Sequence, residues 1–250
     1  MDLQLKGKTA LVTGASAGIG RAIAAELAKE GVKLVVTGRR KEELEKLANE
    51  IVSAGGIRPA IVAHDAMDGG YVDALVAQCA SALGSVDILM NNAGGSRAFG
   101  KDATDEQWDE AITLNFTRHR QLTNRLLPAM QEKKWGRVVN ITGKQEPDHV
   151  NGAFCAKAAL TAWSKGLSRE VGKFGITVNC IGPGRIMSDQ IRRNYTPEYR
   201  AWQSEHEIPM GRYGEPEVLA DLAVFLASPR AGYITGTVSP VDGGLRRYQY

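Results

Sequence analysis

Long apolar runs are absent from this chain of 250 residues. None approaches the ~18 apolar residues a membrane-spanning helix needs, and the start Met1-Asp2-Leu3-Gln4-Leu5-Lys6-Gly7-Lys8 is charged, with no apolar core of a signal peptide. Cysteine is scarce: Cys79, Cys155 and Cys180 are odd in number and lack metal or redox spacing, which speaks against a disulfide framework or a zinc site and fits reduced thiols in the cytoplasm. The four histidines are scattered and complete no metal set. A charge surplus is missing too. The net charge is only +3, with Lys and Arg dispersed among Asp and Glu, whereas a nucleic-acid footprint needs a basic stripe or patch. No repeat, low-complexity tract or Pro/Ser-rich linker occurs. The expectation is a soluble cytoplasmic protein with neither membrane nor nucleic acid as partner.

What is present is a 43% apolar composition, enough for one well-buried core and short for two, so residues 1–250 read as one domain. Short apolar runs alternate with longer segments of helical period, the pattern of a parallel sheet built from βαβ units. The runs are Thr9 to Thr13, Lys33 to Thr37, Ile57 to Ala63, Val86 to Met90, Gly136 to Ile141, Ile176 to Ile181 and Thr237 to Val241. Between the first two, Ile23 and Leu27 share a helical face; in Lys41 to Val52, Leu44, Leu47 and Ile51 do the same. Gly31 stands where a left-handed cap is expected. Right-handed crossovers then give a doubly wound, Rossmann-type α/β fold with seven parallel strands. One stretch, Ser188 to Gly214, has weak periodicity and no strand signal. A long late excursion of this kind is expected to cover a cleft.

Thr13-Gly14-Ala15-Ser16-Ala17-Gly18-Ile19-Gly20 follows the first strand and opens the first helix. Glycines there permit a tight turn and close backbone approach, and the helix N-terminus then offers free N–H groups and a favourable dipole to a pyrophosphate. Together with Asn91-Asn92-Ala93-Gly94 and Lys157, this turn resembles the short-chain dehydrogenase/reductase family, and the similarity runs from Leu5 to about Gly244. The resemblance implies a cofactor half at about 5–143, and a catalytic helix with a lid at about 144–250. It implies dinucleotide contacts at Gly14, Ser16, Gly18, Ile19, Gly20, Asp65, Ala66, Asn92, Ala93, Gly94, Lys157, Pro183, Gly184, Ile186 and Ser188, with Asn91 supporting the fold. NAD-preferring members place an acid after the second strand, whereas this chain has Gly38, Arg39 and Arg40. Arginine binds a ribose 2′-phosphate with paired charge-assisted hydrogen bonds, so NADP(H) is expected over NAD(H).

The family works with an asparagine, a serine, a tyrosine and a lysine as proton donor, orienter and relay beside a hydride source. By resemblance these map to Asn115, Gly143, Ala153 and Lys157. The two hydroxyl-bearing groups are therefore missing from a chain otherwise like the 3-oxoacyl-carrier-protein reductases. A positioned acid is worth roughly 10²–10⁴ in rate, so its loss predicts slow rather than abolished chemistry. Thr142 points away from the Gly143 position on a strand, and Phe154 lies about 100° round the helix from Ala153 and has no hydroxyl. His149 is the candidate replacement, imidazole being suited to proton transfer near neutral pH; an exposed loop histidine is the alternative. Tyr195, Tyr199, Lys144 and Glu146 lie in nearby segments. Arg97, Arg192 and Arg193 fall in segments that ring the cleft in this fold and offer charge to a carboxylate, phosphate or acyl-carrier substrate; a solvated or subunit-contact role is the favoured alternative for any one of them.

These residues favour an NADP(H)-dependent oxidoreductase acting on a carbonyl/alcohol pair with a non-standard proton donor. The alternative is a catalytically impaired NADP(H)-binding sensor or partner subunit; elimination chemistry on the same scaffold ranks last. The resemblance also implies a homo-oligomer, a tetramer or dimer, built through the Lys157 helix and the last strand, with Tyr248 and Tyr250 near the interface.

Overall fold

The computed structural model describes residues 1–97, 99–143 and 149–247, and the backbone alone of Gln190. Lys144, Glu146, Tyr248 and Tyr250 lie outside the described residues. Seven strands form one sheet: β1 (Thr9–Val12), β2 (Lys33–Gly38), β3 (Ala60–Ala63), β4 (Ile88–Asn91), β5 (Gly136–Ile141), β6 (Ile176–Pro183) and β7 (Val238–Val241). Their order is β3-β2-β1-β4-β5-β6-β7, and every pairing is parallel. This is the expected doubly wound sheet.

The helices are α1 (Gly18–Lys29), α2 (Lys41–Ser53), α3 (Tyr71–Leu83), α4 (Asp105–Ile112), α5 (Arg118–Lys133), α6 (Gly152–Val171), α7 (Asp189–Asn194), α8 (Pro197–His206) and α9 (Pro216–Ala227). They cover both faces, which the strands' alternation makes possible. On β1, Ala10 and Val12 join α1, α2 and α9 in one apolar cluster, while Leu11 joins α3 and α5 in the other. Ile23, Leu27, Leu44 and Leu47 are fully buried, and Gly31 adopts φ +76° after α1.

Beyond shifts of one or two residues at other strand ends, two stretches differ from the sequence reading. The third strand begins at Ala60 rather than Ile57: Pro59 has no N–H for a ladder, and β3 is an edge strand whose Ile57 approach is exposed. Ser188 to Gly214 is largely helical. Ser188 Oγ caps α7 by accepting from Ile191 N (3.2 Å), and Thr196 Oγ1 caps α8 by accepting from Tyr199 N (3.2 Å), with Pro197 at the start of α8.

A buried polar chain ties the middle of the sheet to its helices. Asn91 Nδ2 donates to Asn140 Oδ1 (2.8 Å) and Thr123 Oγ1 (3.1 Å), and Asn140 Nδ2 donates to Ser164 Oγ (2.8 Å). Asn91 and Asn140 are fully buried, so neither has water as a substitute partner. Replacing Asn140 with Leu takes one partner from Asn91 Nδ2, which keeps Thr123, and one from Ser164 Oγ, which still donates to Leu160 O; urea denaturation is expected to show a loss of about 1–3 kcal/mol, and an unchanged midpoint would mean the chain carries no such coupling.

Candidate active site

β1 and β4 are neighbours whose connections run to opposite edges of the sheet, and a crevice opens beyond their carboxyl ends, where ligands bind in this architecture. Its walls are built from the turns that follow the strands. Thr13 Oγ1 donates to Met90 O (3.2 Å) and accepts from Asn92 N and Ala93 N (both 2.9 Å), so one hydroxyl holds the β1 turn against the β4 turn. Asn92 Nδ2 donates in return to Thr13 O (3.0 Å) and Gly14 O (3.2 Å). The approach is so close that a Cβ on Gly20 would stand 2.3 Å from Asn92 Nδ2 and 2.4 Å from Gly14 O, and one on Gly14 would stand 2.9 Å from Ala93 Cα. Side chains are excluded at both positions. α1 starts there with no side-chain cap and no acid in its first turn, leaving its free N–H groups and positive dipole end to the crevice.

The crevice is a cleft of about 1570 Å³ that also takes in Ser16, Gly18, Ile19, Arg39, Arg40, Asp65, Ala66, Asn92, Ala93, Gly94, Gly143, Phe154, Pro183, Gly184, Ile186 and Ser188. That exceeds the ~300–1,000 Å³ of ordinary small-molecule pockets, room for a dinucleotide and a second molecule. At one end Arg40 Nη2 donates to Ser16 O (3.2 Å), its Nη1 sits 3.6 Å from Asp189 Oδ2 on the lid, and Arg39 faces Asp65 at 3.9 Å. The Arg40 guanidinium thus stands over the turn, while that of Arg39 reaches the residues after β3. The carbonyls of Ala66 (2.7 Å), Met67 (3.2 Å) and Asp68 (2.8 Å) are gathered by Arg118, which holds this wall in place.

Behind the other end lies Lys157 of α6, which adjoins the lining residues Gly94 and Gly143 but, like Asn115 and Gly20, is not itself among the residues that line the cleft; its Nζ donates to Ile141 O at the tip of β5 (2.6 Å). Burial pulls its ammonium down to about 8, the behaviour of a lysine drawn out of water. Asn115 occupies a π-helical turn, Thr113–Thr117, a distortion that recurs at functional sites. Its Nδ2 donates to Gly95 O (3.0 Å) and Ala111 O (2.9 Å), and its Oδ1 accepts from Gly95 N (3.1 Å). The side chain is therefore spent on fixing the β4–α4 loop. Gly94 separates the two groups, for a Cβ there would meet Asn115 Oδ1 at 2.9 Å and Lys157 Nζ at 3.2 Å. Thr142 donates its hydroxyl to Ile181 O (3.0 Å) and is buried, so it offers no hydroxyl to the cleft. Beside it Gly143 borders open space, its nearest neighbour Lys157 Cγ being 4.0 Å from a built Cβ.

The family model described as "Enoyl-(Acyl carrier protein) reductase" matches residues 14–246. The chain belongs to the short-chain dehydrogenase/reductase family. A 3-oxoacyl-(acyl-carrier-protein) reductase of Pseudomonas aeruginosa is 36% identical over 247 residues, covering 97% of this chain and 99% of that relative. Among solved structures, L-sorbose reductase from Gluconobacter frateurii complexed with NADPH and L-sorbose superposes with a TM-score of 0.93 at 34% identity, covering 99% of this chain and 100% of that one. A 7α-hydroxysteroid dehydrogenase complexed with NADH and 7-oxo glycochenodeoxycholic acid has a TM-score of 0.91 at 32% identity, with 97% and 96% coverage.

Within this short-chain dehydrogenase/reductase layout, several side chains fall elsewhere than the sequence reading placed them. His149 is exposed, its ring 5.9 Å from that of Phe154, and it is not among the described residues that line the cleft. Tyr195 and Tyr199 turn from the cleft into a ladder of rings, Tyr195–Tyr199–Trp202–His206, along α8, with Tyr199 and Trp202 exposed. Arg97 and Arg193 line the cleft and Arg192 does not; Arg185, Arg246 and Arg247 line it and went unread. Arg185 pairs with Glu207 (2.9 Å), which also accepts from Gln203 Nε2 (3.1 Å), pinning α8 over the β6 end.

His119 also went unread, since a lone histidine in a helical stretch carries no motif. It is one turn beyond Asn115, fully buried, and its Nε2 has no hydrogen-bond partner. Burial first, and then the charge of Lys157, hold its imidazole well below the ordinary range, so the native ring is neutral. The unfolded chain takes up the proton first, near ~6.5, and stability falls as pH drops below that value. Urea titrations from pH 7 to 5 are expected to show that His119→Leu removes a slope of up to about 1.4 kcal/mol per pH unit; equal slopes in both proteins would show that the ring charges without cost.

Proposed function

We propose that this protein is an NADP(H)-dependent oxidoreductase that interconverts a carbonyl and an alcohol without the family's usual hydroxyl pair. One observation carries the reading: a glycine-rich turn and an uncapped helix start face the same cleft as two arginines, and Lys157 lies behind its Gly94 and Gly143 lining. A dinucleotide fits these residues. Gly14 and Gly20 let the turn close on Asn92 and Ala93, and Gly18 borders the cleft with room where a Cβ would stand, so phosphates can approach the backbone there, and the N-terminus of α1 answers their charge.

When bound, the cofactor supplies or takes the hydride. Arg39 and Arg40 grip a 2′-phosphate by charge-assisted hydrogen bonds, exchanging their contacts with Asp65 and Asp189 for a stronger anion. Gly14, Ser16, Gly18, Ile19 and Gly20 would hold the pyrophosphate, Asp65 and Ala66 the adenine, and Asn92, Ala93 and Gly94 the ribose. Pro183, Gly184, Ile186 and Ser188 would border the nicotinamide. Lys157 would bind ribose hydroxyls and supply a positive charge toward the carbonyl oxygen, where negative charge gathers in the transition state. Asn115 holds the Gly95 backbone against this end. Ala153 and Gly143 take the positions of the family's tyrosine and serine, which leaves Lys157 as the proton-bearing group nearest the reaction. NADPH in the sorbose reductase complex and NADH in the hydroxysteroid dehydrogenase complex mark the family's two choices, and Arg39 with Arg40 selects the first.

A second reading, a cofactor-binding protein without turnover, draws on Thr142, whose hydroxyl is committed to Ile181 O. Titration with NADPH and NADH, followed by NADPH consumption over a panel of ketones, separates the two. NADPH is expected to bind more tightly than NADH, and Arg39→Ala with Arg40→Ala to erase about tenfold or more of that preference. Turnover is expected to decline as pH rises through about 8, where the cation of Lys157 is lost, and to collapse in Lys157→Met. A sharp loss in His149→Ala would instead give the proton-donor role to that residue. Tight NADPH binding with no turnover, unchanged when Ala153→Tyr is combined with Gly143→Ser, would establish the second reading.

A further inference from the structure

Beside the main cleft lies a separate chamber of about 290 Å³, walled by Phe99, Ala111, Leu114 and Ala153. Arg97, Glu110 and Leu114 border both spaces, so the two adjoin. Ala153 belongs to the chamber and not to the cleft. It precedes Lys157 by four residues on α6, about 6 Å along the helix and on the same face. A molecule reaching from the chamber into the cleft passes Arg97, Glu110 and Leu114, which border both.

The packing around Ala153 shows why the space exists. Gly152 is already at the limit of approach: a Cβ there would meet Ala111 Cβ at 2.7 Å and Phe99 Cε2 at 2.8 Å. That contact brings α6 onto α4, and Phe99 is fixed in turn by an edge-to-face contact with Trp108, 4.8 Å between centroids. One residue on, Ala153 projects a single methyl where a larger side chain would occupy the volume.

Several of the chamber's polar groups are turned to partners within the protein. Asn151 Oδ1 accepts from Ala153 N (3.0 Å) and its Nδ2 donates to Ser96 Oγ (3.2 Å). Gln107 Oε1 accepts from Thr104 N (2.9 Å), and Arg97 pairs with Glu110 at 3.1 Å. The face formed by Phe99, Ala111, Leu114 and Ala153 carries no hydrogen-bonding side chain, so a hydroxyl or charge laid against it stays unmatched, which costs free energy. A hydrocarbon group meets no such penalty. At roughly 30 Å³ per water-sized atom, the chamber holds about ten non-hydrogen atoms.

We infer that this chamber is a substrate subsite for an uncharged apolar group of ring size, and that the protein's substrates are ketones or alcohols bearing such a group. The inference rests on the oxidoreductase reading above and sets this chain apart from a polyol reductase. It also gives Ala153 a positive role: the residue makes room for substrate.

The test compares NADPH-dependent reduction of 2-butanone, cyclohexyl methyl ketone, acetophenone and dihydroxyacetone by the full chain, its Ala153→Val and its Ala153→Phe variants. With three- to fourfold gained per buried methylene, kcat/KM for cyclohexyl methyl ketone is expected to exceed that for 2-butanone on the order of a hundredfold. Dihydroxyacetone is expected to fall below both. The advantage of the ring ketones should shrink in Ala153→Val and drop about tenfold or more in Ala153→Phe, with the NADPH dissociation constant reporting that each variant is folded. Rates independent of apolar size, or an advantage that survives filling the chamber, overturn the inference while the oxidoreductase reading stands. If NADPH binds and no ketone is reduced, calorimetry of cyclohexyl methyl ketone against the NADPH-loaded proteins decides: binding by the parent alone supports the subsite, and absent or equal binding overturns it. Failure of the chain to bind NADPH removes both readings.

Discussion

The grip of the β4 turn on the β1 turn is the constraint on which the rest of the site depends. Thr13 and Asn92 exchange five hydrogen bonds with the backbone across the crevice, and the turns are so close that Gly14 and Gly20 have no room for a Cβ. Two neighbouring parallel strands are thereby locked at their carboxyl ends, and the start of α1 is held at a fixed aim. A looser contact would let the free N–H groups of that helix wander, and an anion site made of backbone has no side chain with which to compensate. Order spreads outward from there: Ala15 N reaches Thr37 O on β2 (2.8 Å), and Arg118 gathers the carbonyls that follow β3.

The opposite end of the cleft is built on another principle. There the buried side chains are spent on structure: Asn115 on the Gly95 backbone, Thr142 on Ile181, and Asn91 and Asn140 on one another and on Ser164. Lys157 is left as a cation drawn out of water, with neutral His119 behind it. Two positive charges would not share that volume, and burial resolves the conflict by keeping the imidazole unprotonated. Among the described residues, this end therefore presents one ammonium and backbone groups, with the Thr142 hydroxyl turned to Ile181.

Much of this was legible in the order of residues. The glycines of the β1 turn and the arginines after β2 are tied to elements by spacing of a few residues, so position along the chain already dictates position in space. The strands were legible because their two faces are both buried, which leaves near-continuous apolar runs. The helices of the lid were missed although their caps, Ser188 and Thr196 with Pro197, are present in the sequence; α8 carries its aromatic rings outward, so no apolar stripe marks it.

Other features exist only once the chain is folded. Whether His149 or Phe154 faces the cleft depends on how α6 is seated on α4, which is settled by the contact of Gly152 with Ala111 and Phe99. His119 acquires its meaning from Lys157 and Ala93, residues brought to it from other strands and helices. The chamber beside Ala153 is likewise a space between elements, and a sequence has no symbol for a space. Local periodicity and turn chemistry act over a few residues and can be read in order; cavities, burial and the charge state of a buried ring arise from neighbours distant in the chain, and packing alone brings them together.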